Sequence, residues 1–189
     1  MKLHYRGNYN LNPESLPSEP HQQGAVPFKE AQDSKTIGII ANVLAVLLII
    51  PLGIILYLRC GNAIFDYILL GCILALLCIF PHEFLHAICF RDNVYLYTNL
   101  KQGMLFVIGT ETMSKGRFIF MSLLPNLIFG IIPYLIALIF PFLSVLGVFG
   151  AISICMGAGD YYNIFNAATQ MPKGARTYLH KFNSFWYMP

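Results

Sequence analysis

The sequence predicts an all-α integral membrane protein. It has four transmembrane helices, both termini in the cytoplasm, and a short β-hairpin in the cytoplasmic loop between spans two and three. Three observations predict this. Apolar residues make up 57% of the 189 and charged residues only 11%, whereas a soluble domain carries about a quarter charged. Uncharged stretches of membrane length recur along the chain. Finally, eleven of the twelve Lys and Arg residues fall on one side of the predicted topology, the positive-inside pattern.

Several classes are excluded at once. The chain lacks the polar surface of an aqueous globule, and fibrous, disordered and disulfide-rich secreted compositions do not match it. A net charge of +3 gives no argument for a nucleic-acid partner; the partner that composition demands is the lipid bilayer. Cys60, Cys72, Cys78, Cys89 and Cys155 lie in or beside apolar runs. An odd count placed this way reads as small buried hydrophobes rather than a disulfide framework.

Residues 1–36 carry Pro13, Pro17, Pro20 and Pro27 with no sustained periodicity, and read as a flexible cytoplasmic arm. The four-span domain covers 37–170. Its first span, about 38–58, is uncharged and as long as the hydrocarbon layer is thick; Pro51 bends it. The second runs from about 64 to 90 and completes its crossing only by including His82, Glu83 and His86. From Phe118 to Gly159 no residue is charged, a run about twice as long as one crossing needs. It therefore folds back at Pro141–Ser144, giving spans at about 119–140 and 144–168. In the loop between spans two and three, Val94–Tyr97 and Met104–Ile108 are β-branched and aromatic, with Lys101-Gln102-Gly103 as the turn of a hairpin. Residues 171–189 end in Phe182, Phe185, Trp186 and Tyr187, rings suited to the headgroup layer, and form an interfacial cytoplasmic tail.

The motif that carries chemistry is His82-Glu83-Phe84-Leu85-His86. Two histidines at i and i+4 share one helix face and can reach one zinc ion. The adjacent glutamate can then act as general base on water that zinc has acidified. Ionisable groups inside a membrane helix are costly, so a functional reason for them is expected. Pro81 removes the hydrogen bond to the Leu77 carbonyl and should kink or restart the helix there.

A catalytic zinc site needs a third protein ligand. The candidates are Asp66, Asp92, Glu111, Asp160 and His180. Counting along the helices places Asp160 in span four at nearly the depth of His82 and His86, whereas Asp66 falls at the opposite face. Asp160 is the expected third ligand, with capping or pairing at a helix junction and hydrogen bonding to a histidine as the other roles open to it. Asn163, one turn on, can orient a ligand or donate to a reaction intermediate. Asn126, after Pro125 in span three, reads equally as a helix–helix hydrogen bond.

Together Pro81-His82-Glu83-Phe84-Leu85-His86-Ala87, a β-rich loop, Ser122-Leu-Leu-Pro125 and Gly157-Ala-Gly-Asp160-Tyr-Tyr-Asn163 resemble the DUF3267 family of zincin peptidases, small bacterial membrane proteins. The likeness covers about residues 60–170. More distantly the arrangement is similar to the site-2 protease group of intramembrane metalloproteases. That resemblance implies zinc held by His82, His86 and Asp160, Glu83 as general base, a membrane protein or peptide as substrate, and a bacterial plasma-membrane location. The chain differs from that group in having Gly-Asp-Tyr-Tyr-Asn around the aspartate and no PDZ module. Two other readings stand beside the peptidase: a non-proteolytic membrane zinc-binding or sensing protein, for which Cys89 is the extra ligand, and a structural membrane subunit. A homodimer is left open.

Overall fold

The structure is a computed structural model and describes residues 1–31 and 33–189. It divides into two compact units. One comprises Asp33–His82 and Leu123–Tyr162; the other comprises Met1–Gln32, Glu83–Ser122 and Asn163–Pro189.

The first unit is helical, and three of the helices, Ile79–Ile88, Lys115–Pro125 and Ala158–Gln170, each divide between it and the second. Helix α1 (Ser34–Cys60) starts where the Asp33 side chain accepts from the Thr36 N–H at 2.8 Å, and it stops at Gly61, whose φ of +65° suits a residue without a side chain. A short α2 (Ala63–Asp66) leads into α3 (Ile68–Leu77) and α4 (Ile79–Ile88). The break at Cys78 follows from chemistry: Pro81 has no N–H to give the Leu77 carbonyl, and the helix restarts at Ile79. Helix α5 (Lys115–Pro125) passes through a π-helical turn (Asn126–Ile131) into α6 (Ile132–Ile139). A 3₁₀ turn at Pro141–Leu143 then reverses the chain into α7 (Ser144–Met156), and α8 (Ala158–Gln170) follows after Gly157. Leu56, Tyr134, Ala137, Val148, Ala151 and Ile154 form the core of this unit. At Gly150 an added Cβ would lie 2.6 Å from the Tyr134 nitrogen, so the backbones meet where only glycine fits.

Three helical stretches, Lys35–Cys60, Ile68–Ile88 and Lys115–Ile139, are long and apolar enough to cross a membrane. The pair Pro141–Met156 and Ala158–Gln170 qualifies only when taken together, across a 53° bend. The chain is thus a membrane protein by its helices, with three candidate spans among the described residues and a fourth that is sharply bent.

The second unit overturns the all-α expectation: its described residues contain seven strands in two sheets. Strand β3 (Asn93–Asn99) pairs antiparallel with β4 (Met104–Gly109), and Gly103 takes a left-handed φ of +63° in the turn, so this hairpin matches the sequence reading. The unexpected strands come from the chain's two ends. β1 (Lys2–Asn8) runs parallel to β3, from Lys2 beside Asn93 to Asn8 beside Thr98. β2 (Val26–Pro27), β7 (Asn183–Tyr187), β6 (Arg176–His180) and β5 (Met113–Ser114) form the second sheet in that order. The terminal segments are therefore sheet-forming, and the protein is mixed α and β. Phe28, Phe90, Val94, Phe118, Met121 and Met171 pack the core beneath the strands.

Candidate metal centre

Helix α4 carries the motif, and the boundary between the two units falls inside it, between His82 and Glu83. His82, Glu83 and His86 each offer a ligand atom within 4.8 Å of the others. The i, i+4 spacing accounts for this locally, because both imidazoles leave the same face one turn apart.

Each member has a defined partner. His82 turns Nε2 to Asp160 Oδ2 at 3.2 Å. Two ligands held about 2.0–2.1 Å from a tetrahedral zinc lie about 3.3 Å apart, so this pair has the spacing of adjacent zinc ligands. His86 is 7% exposed, and its Nδ1 lies 2.9 Å from the Met121 carbonyl oxygen. A carbonyl only accepts, so Nδ1 carries the proton and Nε2 keeps the lone pair a metal needs. Glu83 Oε2 accepts the Val107 backbone N–H at 3.0 Å. Val107 lies on β4, an edge strand of its sheet.

The origin of the Met121 acceptor can be read from the sequence. In an α-helix its carbonyl would bond to the N–H four residues on, which is Pro125 and has none. The proline thus removes the ordinary i+4 donor for that oxygen, and the His86 ring lies against it.

Asp160 has a second partner. The Asn126 Nδ2 donates to Asp160 Oδ2 at 2.7 Å, and Asn126 is only 1% exposed. Sequence reasoning left Asn126 without a definite role. The available signal was Pro125-Asn126 in an apolar span at the depth of Asp160, but nothing local says which way the amide faces. Asn163, in contrast, is half-buried on α8 and has no side-chain hydrogen bond among the described residues.

The other candidate ligands have different tasks. Glu111 pairs with Arg117 at 2.8 Å and accepts the N–H groups of Arg91 and Asp92. His180 bonds the Glu19 carbonyl at 3.0 Å and stacks on His21. The Cys89 thiol, just past the end of α4, donates to the Leu85 carbonyl of that helix. Asp66 ends the short α2, and Asp92 is exposed in the turn before β3.

Two imidazoles and carboxylate oxygens form the donor set that zinc takes in hydrolytic sites. The chemistry of this donor set suits the metal the motif implies; the atoms within 4.8 Å of one another belong to His82, Glu83 and His86, and Asp160 stands outside that group, beside His82. A family model described as "Putative zincin peptidase" (DUF3267) matches residues 74–176, more than half of the chain. No curated protein and no solved structure matches it. The chain belongs to the DUF3267 family.

Proposed function

We propose that this DUF3267 chain is a zinc-dependent membrane peptidase, with His82, His86 and Asp160 as ligands and Glu83 as general base. The observation that carries the reading is the His82–Glu83–His86 group, with His82 Nε2 facing Asp160 Oδ2 at 3.2 Å. Bound there, zinc supplies a Lewis acid and brings the pKa of water toward neutrality.

The residues of the chain do the rest. Glu83 takes a proton from the attacking water at a carboxylate oxygen, then returns it to the departing amine as the C–N bond breaks. The Val107 N–H holds that carboxylate in place. Strand β4 has only β3 as a ladder partner among the described residues, so an extended peptide can add to its outer edge. Asn163, one turn after Asp160 on α8, joins this set as a donor to the reaction intermediate.

The eleven-to-one division of basic residues supports a cytoplasmic location for both termini and for the strand-bearing segments. The site then lies near the cytoplasmic end of the second span, where water reaches it, in a bacterial plasma membrane. The substrate is a peptide or a membrane protein.

Metal content tests this directly. Detergent-purified wild type should hold about one zinc per chain, and His86→Ala and Asp160→Ala should lose it. A wild-type protein prepared without chelators that holds no zinc would sink the proposal. Zinc retained in Asp160→Ala would remove the aspartate from the ligand set.

A further inference from the structure

We infer that the dipeptide Pro125-Asn126 is the positioning element of the zinc site, orienting His86 and Asp160 by two different means. The inference rests on the zinc reading above and adds residues that the HExxH motif does not contain.

Pro125 acts by omission. It brings no N–H to the Met121 carbonyl, and that oxygen accepts His86 Nδ1 at 2.9 Å. The bond fixes both the ring's rotation and its tautomer, so Nε2 is presented with its lone pair. An alanine at 125 would restore a backbone donor to Met121 and compete with the imidazole for the same oxygen.

Asn126 acts by contact. Its amide nitrogen donates to Asp160 Oδ2 at 2.7 Å, on the oxygen that also faces His82. A carboxylate on a helix can otherwise rotate about its side-chain torsions. A buried amide donor limits it to one orientation, with negative charge drawn toward the histidine. Two features hold the amide there. The π-helical turn begins at Asn126 itself, so the helix repeat is altered where the side chain must be aimed. Gly157 leaves the space: a Cβ at that position would overlap the Asn126 side-chain oxygen. Gly157 also sits three residues before Asp160, at the bend between α7 and α8. The notch and the carboxylate it serves are thus set by one short segment.

The test is zinc affinity by chelator competition on the full chain in detergent, with the visible spectrum of the cobalt-substituted protein as a readout of ligand geometry. Asn126→Leu fills the space without a donor, and Gly157→Ala displaces the amide without removing it. Each should weaken zinc binding by about 10–100-fold and change the cobalt spectrum. Asn126→Ser keeps a donor in a smaller side chain, should recover part of the affinity, and serves if leucine is not accommodated. Pro125→Ala should weaken binding by about tenfold while leaving the helical circular dichroism as it was.

His86→Ala separates the two levels of the argument. If it abolishes zinc binding while Asn126→Leu and Pro125→Ala bind within twofold of wild type, the positioning role is overturned and the zinc site stands. If wild type binds no zinc, or His86→Ala binds it as well as wild type, the zinc reading fails and this inference fails with it.

Discussion

The helical unit and the strand-bearing unit hold their site residues by opposite means. In the helical unit His82 is met by a side chain, Asp160, which is met by another side chain, Asn126. In the strand-bearing unit Glu83 is met by the Val107 backbone N–H and His86 by the Met121 backbone carbonyl. The difference follows from where backbone groups are available. Backbone N–H groups within a membrane-length helix are taken up by the helix ladder, and His82 and Asn126 there both meet the Asp160 carboxylate. A sheet edge and a proline-interrupted helix each leave backbone groups over, and these change only when a substitution to or from proline alters the backbone itself.

Glu83→Gln sharpens the comparison most. Glutamine keeps the shape and still offers an oxygen to the Val107 N–H, so anchoring persists and only the base is lost. Turnover should fall by about 10²–10⁴-fold with zinc content unchanged, read from single-turnover cleavage of a peptide substrate beside metal analysis. Loss of zinc together with activity would show instead that Glu83 is needed to build the site.

Val107→Pro attacks the backbone-held half. The Val107 N–H is given to Glu83 and faces away from β3, so a proline there removes the anchor without breaking the β3–β4 ladder. A hydrogen bond to a charged group contributes about 1.5–3 kcal/mol, so kcat should fall by about 10–100-fold. An unchanged kcat would mean that Glu83 is oriented by something other than this strand.

The same division explains what could be read from sequence. The HExxH group is local to one helix, so spacing alone brings its members together. Counting residues down two helices from a common membrane face puts Asp160 at the depth of the histidines, and the structure places its Oδ2 3.2 Å from His82 Nε2. The Asn126–Asp160 hydrogen bond is not legible in the sequence, because it depends on Gly157, thirty-one residues later, leaving room for the amide. The strands at the chain's ends were missed for a related reason. β1 reads Lys-Leu-His-Tyr-Arg-Gly-Asn, is mostly exposed, and exists through backbone pairing with β3 some ninety residues away. Polar sequences joined by long-range parallel pairing carry little local signal. The β3–β4 hairpin, closed by a glycine turn and built from β-branched and aromatic residues, carried enough.

The smallest predicted effect lies outside the HExxH motif, where the N-terminal segment joins the C-terminal hairpin. Glu30 accepts the Ser184 N–H at 2.6 Å, and the Phe28 N–H bonds the Ser184 carbonyl at 3.0 Å beside the β2–β7 pairing. Burial pushes the Glu30 carboxyl above its ordinary value, opposed by the hydrogen bonds from Ser184 and Asn183. The sign follows from linkage. A carboxyl whose folded pKa is raised binds its proton more tightly when docked than when released, so its favourable contribution is fully present below the ordinary glutamate value. That contribution is lost as pH rises through the raised folded value. The junction should therefore loosen modestly as the medium goes from acid to neutral. Hydrogen exchange at the Phe28 and Ser184 amides, compared at each pH with Glu30→Gln, reports it. Glutamine keeps an acceptor for the Ser184 N–H and has no charge to desolvate, so at neutral pH the variant should be better protected than wild type and the two should converge in acid. Equal protection at every pH would mean that the backbone bond between Phe28 and Ser184 holds the junction alone. The strand-bearing unit would then depend on its backbone here as it does at Glu83 and His86.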